Sequence, residues 1–214
     1  MSRRALPTID PTLDLAEYLK RIEDLPCPWS SEALFSRQAA IELEVGSGKG
    51  LFLAAAAATD PETNFLGIEI AAKYARFAAA RLAKRSLTNA KVVHGDALRV
   101  LAELVPAGAL QAVHVYFPDP WWKARHKKRR VMNPRFVAHV ERTLMPGGKL
   151  HFWTDVEEYF QTSLEVLASA TRLAGPNPVA EKPADHELDY RTHFERRMRL
   201  HGLPIYRAEF TKPA

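Results

Sequence analysis

The chain has 214 residues, 47% of them hydrophobic and 26% charged, enough for one α/β domain with a core, too few for two, and unlike a disordered segment. A net charge of +5 and a pI near 9.4 favour a polyanionic partner but carry no information about fold. The lone Cys27 excludes an internal disulfide, no Cys/His spacing suits zinc, and no apolar run is long enough to span a membrane. The N-terminus lacks the apolar core of a signal peptide, so the setting expected is soluble, reducing and cytoplasmic.

Residues 1–38 read as an extension with some helix over LDLAEYLKRIEDL, and 39–214 as the one domain. From residue 39 strand and helix patterns alternate. AAIELEV (39–45) is a first strand ending in a glycine turn, and LFLAAAAATD is a helix of strong formers stopped near Pro61. NFLGIEI (64–70) is a second strand, followed by a helix over AAKYARFAAARLAKR with basic residues suited to its C-terminus. AKVVHGDA (90–97) is a third strand, LRVLAEL a short helix, and LQAVHVYF (110–117) a fourth strand apolar enough to be buried on both faces. Asn133-Pro134 is a good N-cap and first position for a helix that ends at a Pro146-Gly147-Gly148 turn. GGKLHFWTD (147–155) is a fifth strand, VEEYFQTSLEVLASA a helix, 175–190 a long proline-rich loop, and LPIYRAEFTK (203–212) a last strand. Repeated β-α units predict a parallel sheet with helices on both faces. The last strand arrives through a loop, which permits it to be antiparallel.

The turn after the first strand is Glu44-Val45-Gly46-Ser47-Gly48-Lys49-Gly50, where glycines let a ligand approach the backbone at the carboxyl end of the strand. Leu51 stands where a dinucleotide fingerprint needs glycine, and the P-loop pattern is absent. An acid beside the glycines repels pyrophosphate and suits a cationic ligand. Glu69, at the end of the second strand, is placed for the two hydroxyls of a ribose, and Asp96, followed by Ala97, for an adenine amino group. Each acid alone could equally be a helix cap or a solvated charge. Together they describe a site for S-adenosylmethionine.

The segment PDPWWKARHKKRR (118–130) packs one acid, two tryptophans and seven basic-type side chains into thirteen positions. Lys123, Arg125, His126, Lys127, Lys128, Arg129 and Arg130 suit phosphate contacts on a folded RNA, although a charge run can also be a solvated face. Trp121 and Trp122 are suited to stack on a base or to anchor the loop. EVGSGKG, GIEI, GDA, this segment, WTD at 153–155 and THFERR at 192–197 together resemble the bacterial tRNA (guanine-N7)-methyltransferases, the TrmB family, in order from about residue 40 to 211. Met198 departs from the glycine usual in that family, and residues 1–38 carry none of the resemblance.

The resemblance implies a class I S-adenosylmethionine-dependent methyltransferase (Rossmann-like) fold for 39–214: an α/β domain on a mostly parallel seven-stranded sheet with helices on both faces and an antiparallel last strand. It implies methyl transfer to N7 of guanine 46 in the tRNA variable loop, with S-adenosylhomocysteine as product, no metal, no membrane, and a monomer or homodimer. Cofactor binding falls to Glu44, Gly46, Gly48, Gly50, Glu69, Asp96, Ala97 and Asp119. Asp119 is the expected catalytic residue, acting by orientation and electrostatics. Lys123, Asp155, Thr192, Phe194 and Glu195 are expected to hold the target nucleotide, with Arg125, Lys127, Lys128, Arg129 and Arg130 on the RNA backbone. Two other readings stand beside this one. A methyltransferase of small molecules or proteins would not need the basic run, and an RNA-binding module with a dead site would be free to lose the acids. Leu51 disfavours a dehydrogenase.

Overall fold

The apolar runs expected as strands pair with one another in the computed structural model of the chain, which describes residues 6–181, 183 and 190–214. The strands are β1 (Leu19–Arg21), β2 (Ile41–Val45), β3 (Asn64–Glu69), β4 (Ala90–His94), β5 (Leu110–Tyr116), β6 (Leu144–Thr154), β7 (Ala174–Pro178) and β8 (Tyr206–Thr211). They form one sheet in the order β1-β4-β3-β2-β5-β6-β8-β7. β8 runs antiparallel to both its neighbours, and the other pairs are parallel.

Side-chain alternation assigns the two faces. Ile41, Leu43 and Val45 of β2 join Val113, Val115, Leu150 and Phe152 in one core. That core is covered by α4 (Ala97–Glu103), α5 (Pro134–Thr143) and α6 (Glu157–Ala170). On the opposite face Phe65, Val92, Tyr116 and Trp153 meet α2 (Leu51–Thr59) and α3 (Ala72–Ala83). Small residues bring those two helices close: a Cβ added at Gly50 would come within 2.7 Å of the Ala78 Cβ. The remaining helices are α1 (Ser31–Phe35) and α7 (His193–Leu200). As the sequence predicts, Asn133 caps α5 by accepting from the Phe136 amide at 3.0 Å, with Pro134 in its first turn.

The sheet has eight strands where seven were expected. Sequence patterns placed six of them, leaving β1 and β7, and the helix expected over 13–25 is instead β1 followed by a single 3-10 turn at Ile22–Asp24. Tertiary pairing overrides local propensity here. The Val92 amide donates to the Tyr18 carbonyl at 2.7 Å, and Ile22 and Leu25 are buried in the core. The loop expected at 175–190 begins as β7, an exposed edge strand that tolerates Pro176 and Pro178 because an edge needs hydrogen bonds on one side only. The turn expected at 146–148 is absorbed into β6 as an irregularity in its pairing with β5, and the Gly147 amide donates to the Lys212 carbonyl at 2.9 Å.

Candidate active site

Strand order reverses direction between β2 and β5, which opens a crevice at their carboxyl ends. The glycine turn lies there. Gly46, Gly48 and Gly50 all have left-handed backbones, with φ of 75°, 52° and 67°. A Cβ at Gly46 would meet nothing within 4 Å, so that residue faces open space. Glu69 is buried and spends both oxygens on main-chain amides, accepting from Gly48 and from Ala71 at 2.8 Å each. One carboxylate thereby ties the glycine turn to the start of α3.

Glu44 is 3% exposed and, among the described residues, its Oε2 has no hydrogen-bond partner, as is also true of the nearby Ser47 Oγ. Burial, aided by the charge of Glu69, pushes the Glu44 carboxyl up to about 8. A buried acid with an unused oxygen needs a donor from outside the chain, and the glycines leave room for one. The residues therefore fit a cationic, hydrogen-bonding ligand such as the amino-acid end of S-adenosylmethionine. Asp96 is the N-cap of α4, its Oδ1 accepting from the Leu98 amide at 2.8 Å, and Ala97 opens that helix.

Across the crevice, Asp119 is exposed on the loop after β5, and Asp155 is half-buried at the end of β6. Phe117 and Trp121 on either side of Asp119 have positive φ, 50° and 47°. Phe117 stacks on Phe194 with ring centres 5.8 Å apart, which brings α7 to the Asp119 loop. Thr192 is the N-cap of α7 and accepts from the Glu195 amide at 3.0 Å. Glu195 is 3% exposed and points inward: it accepts from the Arg191 amide at 2.6 Å and lies 3.5 Å from Arg199 and 3.6 Å from Arg207. THFE is therefore also a helix start, with the Thr-x-x-Glu spacing of a capping box that the sequence already carried. Met198 sits inside α7, and the left-handed residue that follows the helix is Gly202.

The basic run folds as a 3-10 segment, Ala124–Arg129. Lys123, Arg125, Lys128 and Arg129 are exposed. Arg130 turns inward instead: it is 7% exposed, bonds Glu158 at 2.7 Å and the Pro120 carbonyl at 2.8 Å, and covers the Tyr159 ring. Lys127 shares the same Glu158 at 2.8 Å. These two hydrogen bonds, Arg130 first, hold the Glu158 carboxyl down at about 2. Trp121 packs against His126 and beneath Arg129, whereas Trp122 is 69% exposed.

Sequence reasoning missed the supports of this half. The Arg191 guanidinium lies 5.6 to 5.9 Å from the rings of Phe52, Tyr116 and Trp153. Glu181 pairs with both Arg199 and Arg207. Beneath them His114 is buried between Glu42 at 2.8 Å and the Tyr116 hydroxyl at 2.9 Å, and stacks on His151. Burial above all keeps the His151 imidazole neutral, with its value pushed down to about 2. Glu42 and His114 alternate with apolar neighbours in their strands, and that alternation was the available signal. Among the described residues no helix is long and apolar enough to cross a membrane, and no group of three His, Cys, Asp or Glu side chains is arranged to hold a metal.

The switch-point crevice with its glycine turn and strand-end acids defines a class I S-adenosylmethionine-dependent methyltransferase. Solved structures agree on the fold. The 16S rRNA methyltransferase KamB gives a TM-score of 0.60 at 18% identity, covering 86% of this chain and 94% of that one. The 30S ribosomal A1408 methyltransferase from an uncultured bacterium gives 0.55 at 15%, covering 84% and 90%. A family model described as "Putative methyltransferase" matches residues 38–208. The tRNA (guanine-N(7)-)-methyltransferase of Rhodopirellula baltica is 49% identical over 99% of this chain and 80% of its own length. That of Alcanivorax borkumensis is 36% identical over 99% and 86%. The chain belongs to the tRNA (guanine-N(7)-)-methyltransferase family.

Proposed function

We propose that this chain methylates N7 of a guanine in the variable loop of tRNA. The observation that carries the reading is the meeting, at the carboxyl ends of the central strands, of the buried Glu44 and Glu69 beside the glycine turn with the exposed Asp119 and the cationic segment that follows it. S-adenosylmethionine, when bound, supplies an electrophilic methyl group. Glu44 accepts from its ammonium, Glu69 offers its remaining lone pairs to the ribose hydroxyls, and Asp96 with Ala97 borders the adenine.

N7 of guanine has an in-plane lone pair and no proton at neutral pH, so the reaction needs no strong general base. Orientation and electrostatics remain for the protein to supply. Asp119 accepts from the Watson–Crick edge of the guanine, and its negative charge favours the ring as it becomes cationic. A guanine engaged in the tRNA tertiary fold has to be extruded to react. Lys123, Asp155 and Thr192 hold it, and Phe194, exposed and backed by Phe117, offers a stacking surface. Glu195 acts from behind, fixing the helix start that presents Thr192. Lys123, Arg125, Lys128 and Arg129 engage phosphates, joined by Lys127 when it leaves Glu158. Arg130 holds the segment to α6.

The test is incubation with labelled S-adenosylmethionine and unmodified tRNA, followed by digestion and mass mapping. N7-methylguanosine in the variable loop is expected; a methyl group at any other atom overturns the reading.

A further inference from the structure

Charge is divided unequally between the two helical layers. From Ala71 to Gly95 the sequence contains six Lys or Arg residues and no acid. α6, on the opposite face, contains Glu157, Glu158 and Glu165 and no Lys or Arg. Lys73, Arg76, Lys84 and Arg85 on and just after α3 are exposed, and among the described residues none of them has an ion-pair partner. Among the described residues Asp10 senses this row, its carboxyl lowered chiefly by its Thr12 hydrogen bonds and least by Lys84.

A helix macrodipole accounts for basic residues in the last turn, so Lys84 and Arg85 alone would be unremarkable. It does not account for Lys73 and Arg76, which lie in the first two turns, where the helix end is itself positive. Lys73 and Arg76, three residues apart, are neighbours on the helix surface, where they repel each other. Tyr74 and Phe77 lie among them, half-buried, with Lys73 5.0 Å from the Tyr74 ring. Cations interleaved with rings, with no acid paired to Lys73, Arg76, Lys84 or Arg85 among the described residues, suit a phosphate backbone and its bases.

The row is also joined to the active site. α3 begins three residues after Glu69 and runs about 18 Å at 1.5 Å per residue. Arg81 Nη2 lies 3.4 Å from His193 Nε2 on α7. On α7, Arg197 covers Phe194, and Phe194 stacks on Phe117 beside the Asp119 loop. The segment 123–129 lies on the other side of the crevice, tethered to α6 through Lys127.

We propose that the outer face of α3, with the adjoining end of α7, is a second docking surface for RNA, which engages phosphates of the tRNA remote from the target guanine. The tRNA would straddle the crevice, with segment 123–129 on one flank and α3 on the other. This rests on the tRNA reading above and adds a surface that the reading does not require.

The test is the triple variant R76Q/K84Q/R85Q, whose exposed positions leave the core and the cofactor acids intact. Equilibrium tRNA binding is measured against salt without cofactor, and turnover is measured on full tRNA and on a short hairpin carrying only the target guanine. Each phosphate contact contributes about 0.7 to 0.9 to the slope of log affinity against log salt. The variant is expected to lose about 2 from that slope, to raise KM for full tRNA, and to keep kcat, S-adenosylmethionine affinity and hairpin turnover. A wild-type slope and affinity would overturn the proposal, leaving the face to an acidic protein partner. Equal impairment on the hairpin would overturn the claim of a remote contact. Product mapping on the wild type keeps the two readings separate: a methyl group placed elsewhere on the tRNA, together with a lost slope in the variant, would sink the N7 assignment and leave the docking face standing.

Discussion

On the cofactor half of the sheet edge, Glu44 and Glu69 are buried, and Glu69 is fixed by two backbone amides at 2.8 Å. On the substrate half, Asp119 is exposed, and its surroundings are held by side chains: Arg130 on Glu158, Arg199 and Arg207 on Glu181 and Glu195, and Arg191 against three rings. Backbone amides on a glycine turn cannot reorganise without unfolding the turn. Ion pairs between long side chains can exchange partners and are weakened by salt. On the proposed reading, the site joins a fixed half for a small invariant ligand to an adjustable half for a large one.

The sharpest test of that division is Asp119→Ala. Turnover should fall by about two to three orders of magnitude, while tRNA binding measured in parallel stays near wild type. An active variant would move the chemistry to the other half.

Next in size is Glu44→Gln. Losing a charge-assisted hydrogen bond should weaken cofactor binding by about 2 kcal/mol, read by calorimetric titration. The same variant has a pH signature. Glu44 is raised from the ordinary 4.5 to about 8, so the folded state holds a proton that the unfolded chain has released. Stability of the cofactor-free protein is fully present below 4.5 and declines as pH rises through 8. Thermal melts should show that decline in the wild type and a flatter profile in the variant.

Arg191→Met should cost about 1 to 2 kcal/mol of stability through its lost ring contacts, measured by denaturant unfolding, and should lower turnover on tRNA more than cofactor affinity. Arg191→Lys should recover part of both. The smallest effect belongs to Glu158→Gln, at most about 1 kcal/mol because Glu158 is half exposed. Its carboxyl is depressed to about 2, so its contribution is present above 4.5 and lost as pH falls towards 2. Acid titration of the variant should lack that component.

The same division governs what the sequence made legible. Glu44 and Glu69 stand at the ends of buried strands and the glycines follow one, so local pattern and topology were enough to place them at the crevice. The substrate half depends on pairs distant in the chain. Nothing near Arg130 announces that Glu158 turns it inward, and only the fold puts Arg191 against Phe52. Thr192 and Glu195 did carry a local signal, a helix start, but it was hidden by their place in a family motif. Residues 13–25 have the composition of a helix, yet Leu19–Arg21 became a strand because the open edge of β4 offered hydrogen bonds. β7 escaped notice because Gly-Pro-Asn-Pro has none of the periodicity of a strand.

The two borders of the sheet have a colloidal consequence. One ends in β1, only three residues long, and the other in β7, where Pro176 and Pro178 have no amide hydrogen to offer an incoming chain. A long, regular border would template edge-to-edge growth between copies, and neither border provides one. The irregularity that made β7 hard to recognise as a strand thus also works against fibrous association between copies.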